Sequence, residues 1–425
     1  MNNQRLELVA DFYEYTMANG YFNKNMQDRI AYFDVFFRKV PDEGGYAIVA
    51  GLEQIINCIR NLSFDEEDIN YLRKQNKFSE EFLNYLENFR FTGDIWAIPE
   101  GTVVFPNEPL ITVKAPIIQA QLLETMLLLT TNHQSLIATK TSRIVKEAQG
   151  RPVMEFGARR AHGINAAVEG ARAAIIGGAV GTSCTLSAKE FNVPASGTMA
   201  HSWIQSFDSE YEAFKAYAEL YPDDCTFLID TYNTIESGLP NAIKVFNEVL
   251  KPKGYRPKAV RLDSGDLAYL SKKVRKILDE AGYEDCKICA TNSLDEYLIK
   301  SLIEQDAKID LFGVGENLIT AKSEPVFGGV YKLVALEKDK KIVPKIKVSE
   351  NTAKVTNPSV KKVYRFYDNE TKKAIADVIT LADEIIDERE YMIFDPQNPW
   401  KKKVLKDYSI RLLQEKIFEE RKINI

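Results

Sequence analysis

The sequence predicts an α/β fold with an irregular (α/β) barrel of parallel strands at its centre, and three observations carry that prediction. The chain has 425 residues, too many for one ordinary domain and suited to a barrel of about 250 residues plus a second layer. Between residues 150 and 335, short apolar runs alternate with helical patterns, which signals βαβ units and a parallel sheet. Polar residues gather where those runs end, as they do at the carboxyl face of a barrel. An open, doubly wound sheet is the competing arrangement for the same alternation.

The elements follow in order. Leu8, Phe12, Tyr15 and Ala18 recur at helical spacing, as do Leu52, Ile55, Ile56 and Ile59. Between them, Ile30 to Phe37 is aromatic and rich in β formers, so it reads as a strand. Residues 94–114 hold short β segments broken by Pro and Gly, and residues 117–148 read as long helix. The central apolar runs are VMEFG at 153–157, AVGTS at 179–183, SGTMA at 196–200, TFLID at 226–230, AVRLD at 259–263, ICATN at 288–292 and DLFGV at 310–314. Amphipathic stretches at 236–250 and 266–281 supply crossover helices. Beyond 335 the chain turns Lys-rich and β-like, and a helical tail is expected from residue 404 onward. Lys401, Lys402 and Lys403 read as a solvated face.

Composition excludes several classes of function. With 45% hydrophobic and 27% charged residues, the chain reads as soluble and globular. Its 55 Lys and Arg against 61 Asp and Glu leave a net charge of −6, which disfavours a nucleic-acid partner. The sequence has no apolar run of about 18 residues, so no transmembrane span is expected. The start, Met1 to Glu7, lacks a basic region followed by an apolar one, so no signal peptide is expected. Five cysteines, an odd number, point to reduced thiols and a cytoplasmic location. Walker A and G-x-S-x-G motifs are absent.

The polar strand ends are Glu155 with Arg159, Ser183, His201, Asp230 with Thr231, Asp263 with Ser264, Asn292, and Gly313 with Gly315. Any one of them can cap a loop, but together at one barrel face they point to an enzyme. Among three histidines, His201 is the candidate nucleophile or base, because the small residues before it leave room for a bulky ligand. Asp230, one strand on, is placed to orient its ring. Arg159 suits a carboxylate or phosphate, and Phe156 offers a face for a flat ligand. Gly313-Val314-Gly315 lets backbone N–H groups approach a phosphate, although a full dinucleotide fingerprint is missing. Cys286 and Cys289 have C-x-x-C spacing, but they enter a strand and lack further metal ligands nearby, so they read as structural.

Taken in order, these segments resemble nicotinate phosphoribosyltransferases, a family of type II phosphoribosyltransferases. The likeness runs through ADFYEYTM at 10–17, FFRKVP at 36–41, GGYAI at 44–48, EFGARR at 155–160, GTS at 181–183 and GTMAHS at 197–202. It continues through DTY at 230–232, RLDSGDL at 261–267, FGVG at 312–315, VYKLV at 330–334 and VYRFYD at 363–368.

The resemblance implies an irregular barrel over 136–335 and a discontinuous α+β domain built from 1–135 and 336–425. It implies transfer of phosphoribosyl from phosphoribosyl pyrophosphate to nicotinate in NAD biosynthesis and salvage, with Mg²⁺ and with ATP hydrolysis coupled through a phosphohistidine at His201. By the same resemblance, Asp263 serves the ribose hydroxyls, and Arg38, Arg261, Ser264, Asn292, Gly313 and Gly315 serve phosphates. Phe156 and Tyr13 would sandwich the pyridine, with Tyr13 reaching in from the partner of a homodimer with shared active sites. Arg159 would pair with the nicotinate carboxylate. The related nicotinamide phosphoribosyltransferase, the alternative on the same fold, carries Asp where Ser183 stands, and a neutral Ser183 favours the acid over the amide. Two positions depart from the family pattern: Cys184, where Asn is expected, and Asn233, where Asp is common.

Overall fold

A computed structural model describes residues 7–350, 355–387, 389–396 and 398–419. The first residues of the signal-peptide argument, and the last residues of the expected tail, lie outside that range. The chain divides into two compact units, Leu136–Pro325 and Met1–Ser135 with Val326–Ile425.

The middle unit is built on a six-stranded sheet in which every pairing is parallel. In spatial order the strands are Gly181–Thr182, Val153–Glu155, Leu311–Val314, Lys287–Ala290, Ala259–Leu262 and Thr226–Leu228. The last strand in sequence pairs with the first, so the order is cyclic. That is barrel winding, since a doubly wound sheet would leave its first strand beside a switch point. The ring stays open between Thr182 and Thr226, which makes the sheet a curled half-barrel. The S-G-T-M-A run is not a strand. A single parallel bridge, Thr182 to Ala195, lies just before it on the open side.

Strand residues Val260, Leu262, Ile288, Ala290, Phe312 and Val314 are fully buried, which fits strands covered on both faces. Phe227 stacks between Phe214 and Phe246 at ring distances of 4.5 and 5.4 Å. Asp266 caps the crossover helix Leu267–Glu280 by accepting from the Tyr269 N–H, and Asp295 caps Glu296–Glu304 in the same way at Leu298. The expected 236–250 helix runs as Leu239–Val245 with a wider turn at each end. Asn233 caps its start, its Oδ1 accepting from Ile235 and Glu236 N–H, and nothing in the structure explains Asn rather than Asp there.

The other unit gathers both ends of the chain into one antiparallel sheet. Its order is Lys341–Pro344, Gly329–Lys338, Ile30–Phe37, Ile111–Pro116, Asp94–Ala97 and Glu415–Phe418. Strand Gly329–Lys338 pairs with Ile30–Phe37 throughout its first part, and this moves the unit boundary to 325/326. Among the described residues the expected helical tail is instead the end of strand Asn398–Lys406 followed by strands Tyr408–Leu412 and Glu415–Phe418. Tertiary pairing overrides local preference there: Glu415 aligns with Ala97, Lys416 with Trp96, and Arg411 with Arg365. Among the described residues no helix is long and apolar enough to cross a membrane.

Glu14 is a buried carboxyl on helix Phe12–Asn23, accepting from the Thr125 hydroxyl and the Asp11 N–H. Burial outweighs those hydrogen bonds and pushes it from 4.5 up to about 7. With the folded value above the unfolded one, its stabilisation is complete below 4.5 and is lost as pH rises through about 7. Glu14→Gln is therefore expected to remove on the order of 2 kcal/mol of pH dependence between pH 5 and 8. Thermal denaturation across that range checks this, and identical pH slopes for both proteins would contradict it.

Candidate active site

Parallel strands bring their last residues to the same edge, and here that edge carries a continuous hydrogen-bonded cluster. Arg261 lies at the centre. Its Nε donates to Thr291 Oγ1 at 2.9 Å, and Nη1 donates to Thr198 Oγ1 at 3.2 Å and to the Met199 carbonyl at 3.3 Å. Its Nη2 donates to Asp263 Oδ1 at 3.0 Å. Every guanidinium nitrogen is thus held, which fixes the head of a side chain that is otherwise costly to immobilise.

Asp230 follows the Thr226–Leu228 strand and turns toward its neighbour. Its Oδ2 accepts from the Asp263 N–H at 2.9 Å and from Ser264 Oγ at 2.5 Å. Its Oδ1 is buried without a hydrogen-bond partner among the described residues. The sequence points to Asp230 as the partner of the His201 ring, but the structure puts Thr231 there. His201 Nδ1 lies 3.1 Å from Thr231 Oγ1, and Nε2 lies 3.7 Å from Asp263 Oδ2. His201 does not end a strand but opens the short helix His201–Gln205. Its side chain is 40% exposed, so a ligand can reach it.

Glu155 works as an internal clamp. It is fully buried, accepts from Thr182 Oγ1 at 2.6 Å and from the Gly157 N–H, and so ties the Phe156 turn to the next strand. Burial pushes its carboxyl above the ordinary carboxylate range against the pull of both bonds. Phe156 N–H donates to the Val314 carbonyl at 2.7 Å. Arg159 and Arg160 are exposed on the following turn, with Arg160 Nε 3.9 Å from Glu316. Ser183 is exposed after its strand, and its N–H donates to the Glu155 carbonyl at 2.9 Å.

Gly313 has a packing role that its sequence does not announce. A Cβ there would lie 2.5 Å from the Phe156 ring and 2.7 Å from Thr291 Cγ2. Its missing side chain is what lets Phe156 lie against the sheet. Gly315 sits near the Phe156 carbonyl, 3.2 Å from where its own Cβ would be. Asn292 and Ser293 both take positive φ, 83° and 51°, unusual for residues other than glycine. Asn317 Nδ2 braces that loop by donating to the Ser293 and Leu294 carbonyls at 2.8 and 3.2 Å.

Tyr13 and Arg38 belong to the unit formed by the chain ends. Tyr13 is 45% exposed, and Arg38 sits over the Phe36 ring at 5.5 Å. Cys286 and Cys289 are buried, and burial pushes both thiols up to about 12, far from a reactive thiolate. Thr198 and Thr291 are the cluster members that sequence reasoning missed. For Thr291 the signal is a hydroxyl residue level with Asp263 on the next strand, whereas Thr198 lies outside any strand and offers none.

Gly313→Ala is expected to displace the Phe156 ring and to destabilise the protein by about 1–3 kcal/mol. Chemical denaturation measures this, and unchanged stability would show that the ring and Thr291 yield freely.

Comparison with known proteins places these features in a family. The family model described as "Nicotinate phosphoribosyltransferase (NAPRTase) family" matches residues 152–379, and the corresponding N- and C-terminal domain models match 8–132 and 360–424. The chain is 46% identical over 416 residues to the nicotinate phosphoribosyltransferase of Bacillus subtilis (strain 168), covering 98% of this chain and 84% of that one. It is 36% identical over 437 residues to the Caenorhabditis elegans protein of the same name, covering 89% and 76%. The crystal structure of human nicotinic acid phosphoribosyltransferase superposes with a TM-score of 0.85 at 26% identity, over 97% of this chain and 89% of the human one. The chain belongs to the nicotinate phosphoribosyltransferase family.

Proposed function

We propose that this protein transfers the phosphoribosyl group of phosphoribosyl pyrophosphate to nicotinate, giving nicotinate mononucleotide and pyrophosphate in NAD biosynthesis and salvage. The observation that carries this reading is the fixed Arg261–Asp263 pair beside His201, at the carboxyl ends of the strands. In the reaction the lone pair of the pyridine nitrogen forms a bond to C1 of the ribose. The C1–O bond breaks, and its electrons leave with pyrophosphate. The transition state separates an oxocarbenium-like carbon from a polyanion, so the site must hold negative charge without neutralising the cationic carbon.

Arg261 meets the phosphates, and Asp263 accepts from the ribose hydroxyls and faces the positive carbon. Ser264, Asn292 and the Gly313–Gly315 loop complete the phosphate side. Phe156 stacks on the pyridine and Arg159 pairs with its carboxylate. Ser183 is neutral, so it does not repel that carboxylate as an Asp there would. His201 accepts the γ-phosphoryl group of ATP as ADP leaves, and later hydrolysis of that phosphohistidine to orthophosphate drives the transfer forward.

Mg²⁺ belongs to the same proposal. Among the described residues no group of three or more His, Cys, Asp or Glu side chains is arranged to hold a metal ion. The buried, unpartnered Asp230 Oδ1 beside Asp263 nevertheless fits a hard cation that takes most of its oxygens from pyrophosphate and water. Such an ion neutralises charge on the leaving group. The exposed Phe12, Tyr13 and Met17 on helix Phe12–Asn23 support a homodimer contact there. Free thiols at all five cysteines support a reducing, cytoplasmic setting.

Pyrophosphate release tests the reading, with nicotinate, nicotinamide and quinolinate each supplied with Mg²⁺, with and without ATP. Release with nicotinate, stimulated by ATP, is expected, and turnover only with another base would overturn the assignment. His201→Ala is expected to keep slow transfer while losing ATP stimulation, and a fully stimulated variant would exclude the phosphohistidine. Ser183→Asp is expected to move the acid-to-amide ratio of kcat/KM toward nicotinamide by about tenfold or more, equivalent to about 1.4 kcal/mol. An unchanged ratio would remove Ser183 as the selector.

A further inference from the structure

We propose that Thr291 is a positioning residue, whose hydroxyl sets the arrangement of Arg261 and Asp263 that presents Asp263 Oδ2 to His201. The inference rests on the proposed function for its readout and on the following geometry for its content. Ala290 pairs with Leu262 in the parallel ladder, so Thr291 lies one residue beyond that pair, level with Asp263. Its N–H donates to the Leu262 carbonyl at 2.9 Å, which anchors the backbone. The side chain is buried, at 3% exposure.

The two branches at its Cβ do separate things. The hydroxyl accepts from Arg261 Nε at 2.9 Å and donates to Asp263 Oδ1. The methyl packs against Gly313, 2.7 Å from where a Cβ on that residue would be. A β-branched side chain has few χ1 choices, and with the methyl lodged against Gly313 the hydroxyl is aimed at the charged pair. Asp263 Oδ1 then accepts from both Thr291 and Arg261 Nη2, which leaves Oδ2 as the oxygen turned toward His201 Nε2. Without the hydroxyl, Arg261 Nε and Asp263 Oδ1 each lose a partner. A guanidinium and a carboxylate then favour closing on each other in a two-pronged pair, which would withdraw Oδ2 from the histidine.

Two variants separate the branches. Thr291→Val keeps the shape and the methyl but removes the hydroxyl, and Thr291→Ser keeps the hydroxyl but removes the methyl. The measurement is steady-state pyrophosphate release from nicotinate, phosphoribosyl pyrophosphate, Mg²⁺ and ATP, with the Tm of each protein alongside. Thr291→Val is expected to lower kcat on the order of tenfold to a hundredfold, the effect of one hydrogen bond to charged groups, while KM for nicotinate stays within about twofold. Thr291→Ser is expected to retain kcat within about threefold of the unsubstituted protein, even if its Tm falls through loss of the methyl contact. Wild-type kcat in Thr291→Val would overturn the inference, as would a Thr291→Ser protein as slow as Thr291→Val. An unsubstituted protein that releases no pyrophosphate with nicotinate would instead overturn the functional reading, and this inference with it.

Discussion

Two carboxylates placed on adjoining strand ends repel each other unless something stands between them. In this protein Asp230 and Asp263 are separated by the Asp263 backbone itself, whose N–H is given to Asp230 Oδ2. The Arg261 guanidinium supplies the compensating charge on the far side. The rest of the site follows from that arrangement. Arg261 must be held, so Thr198, Met199 and Thr291 accept from it. Asp263 must expose one oxygen, and that oxygen faces His201. Partly buried charges of this kind are stable only when their hydrogen-bonding capacity is nearly filled. The unfilled remainder among the described residues is Asp230 Oδ1.

The unit made from the chain ends solves a similar problem differently. Lys361 and Asp34 form an ion pair at 2.9 Å, both almost completely buried. The Thr112 hydroxyl donates to Asp34 at 2.7 Å, and Lys361 donates to the Asn357 and Ser359 carbonyls at 2.8 and 2.7 Å. Such a pair adds little net stability over a hydrophobic replacement, but removing one member typically costs about 3–5 kcal/mol. It joins a strand near the start of the chain to one far downstream. Pairing is thereby specified between segments separated by more than three hundred residues, where loop-closure entropy works against it.

Much of this was legible in the sequence, for physical reasons. Barrel strands buried on both faces must be short and apolar, so runs such as AVRLD and ICATN stand out. The polar residue that ends each run is equally visible, and Arg261, Asp263, Ser264, Asp230 and His201 do meet at one edge. Partners across strands were less visible, because register decides them. Thr231 rather than Asp230 contacts His201, since Asp230 is turned by the Asp263 N–H and Ser264, and no spacing rule shows which residue wins. Thr291 acquires its position only once Ala290 is aligned with Leu262. Gly313 reads from the sequence as a phosphate-approach glycine, and its packing role shows only once the Phe156 ring is seen against it. The tail after residue 404 has too few residues per segment to distinguish helix from strand, and its pairing with Asp94–Ala97 and Lys361–Asp368 decides the matter.

The central claim is that the strand-end cluster is one phosphoribosyl-binding site, organised by Arg261 and Asp263. A crystal structure of the protein with nicotinate mononucleotide tests it most directly. The ribose hydroxyls are expected on the Asp263 carboxylate and the pyridine ring stacked on Phe156, with Arg261 still held by Thr198 and Thr291. A nucleotide bound away from these strand ends, or a ring out of stacking distance of Phe156, would contradict it.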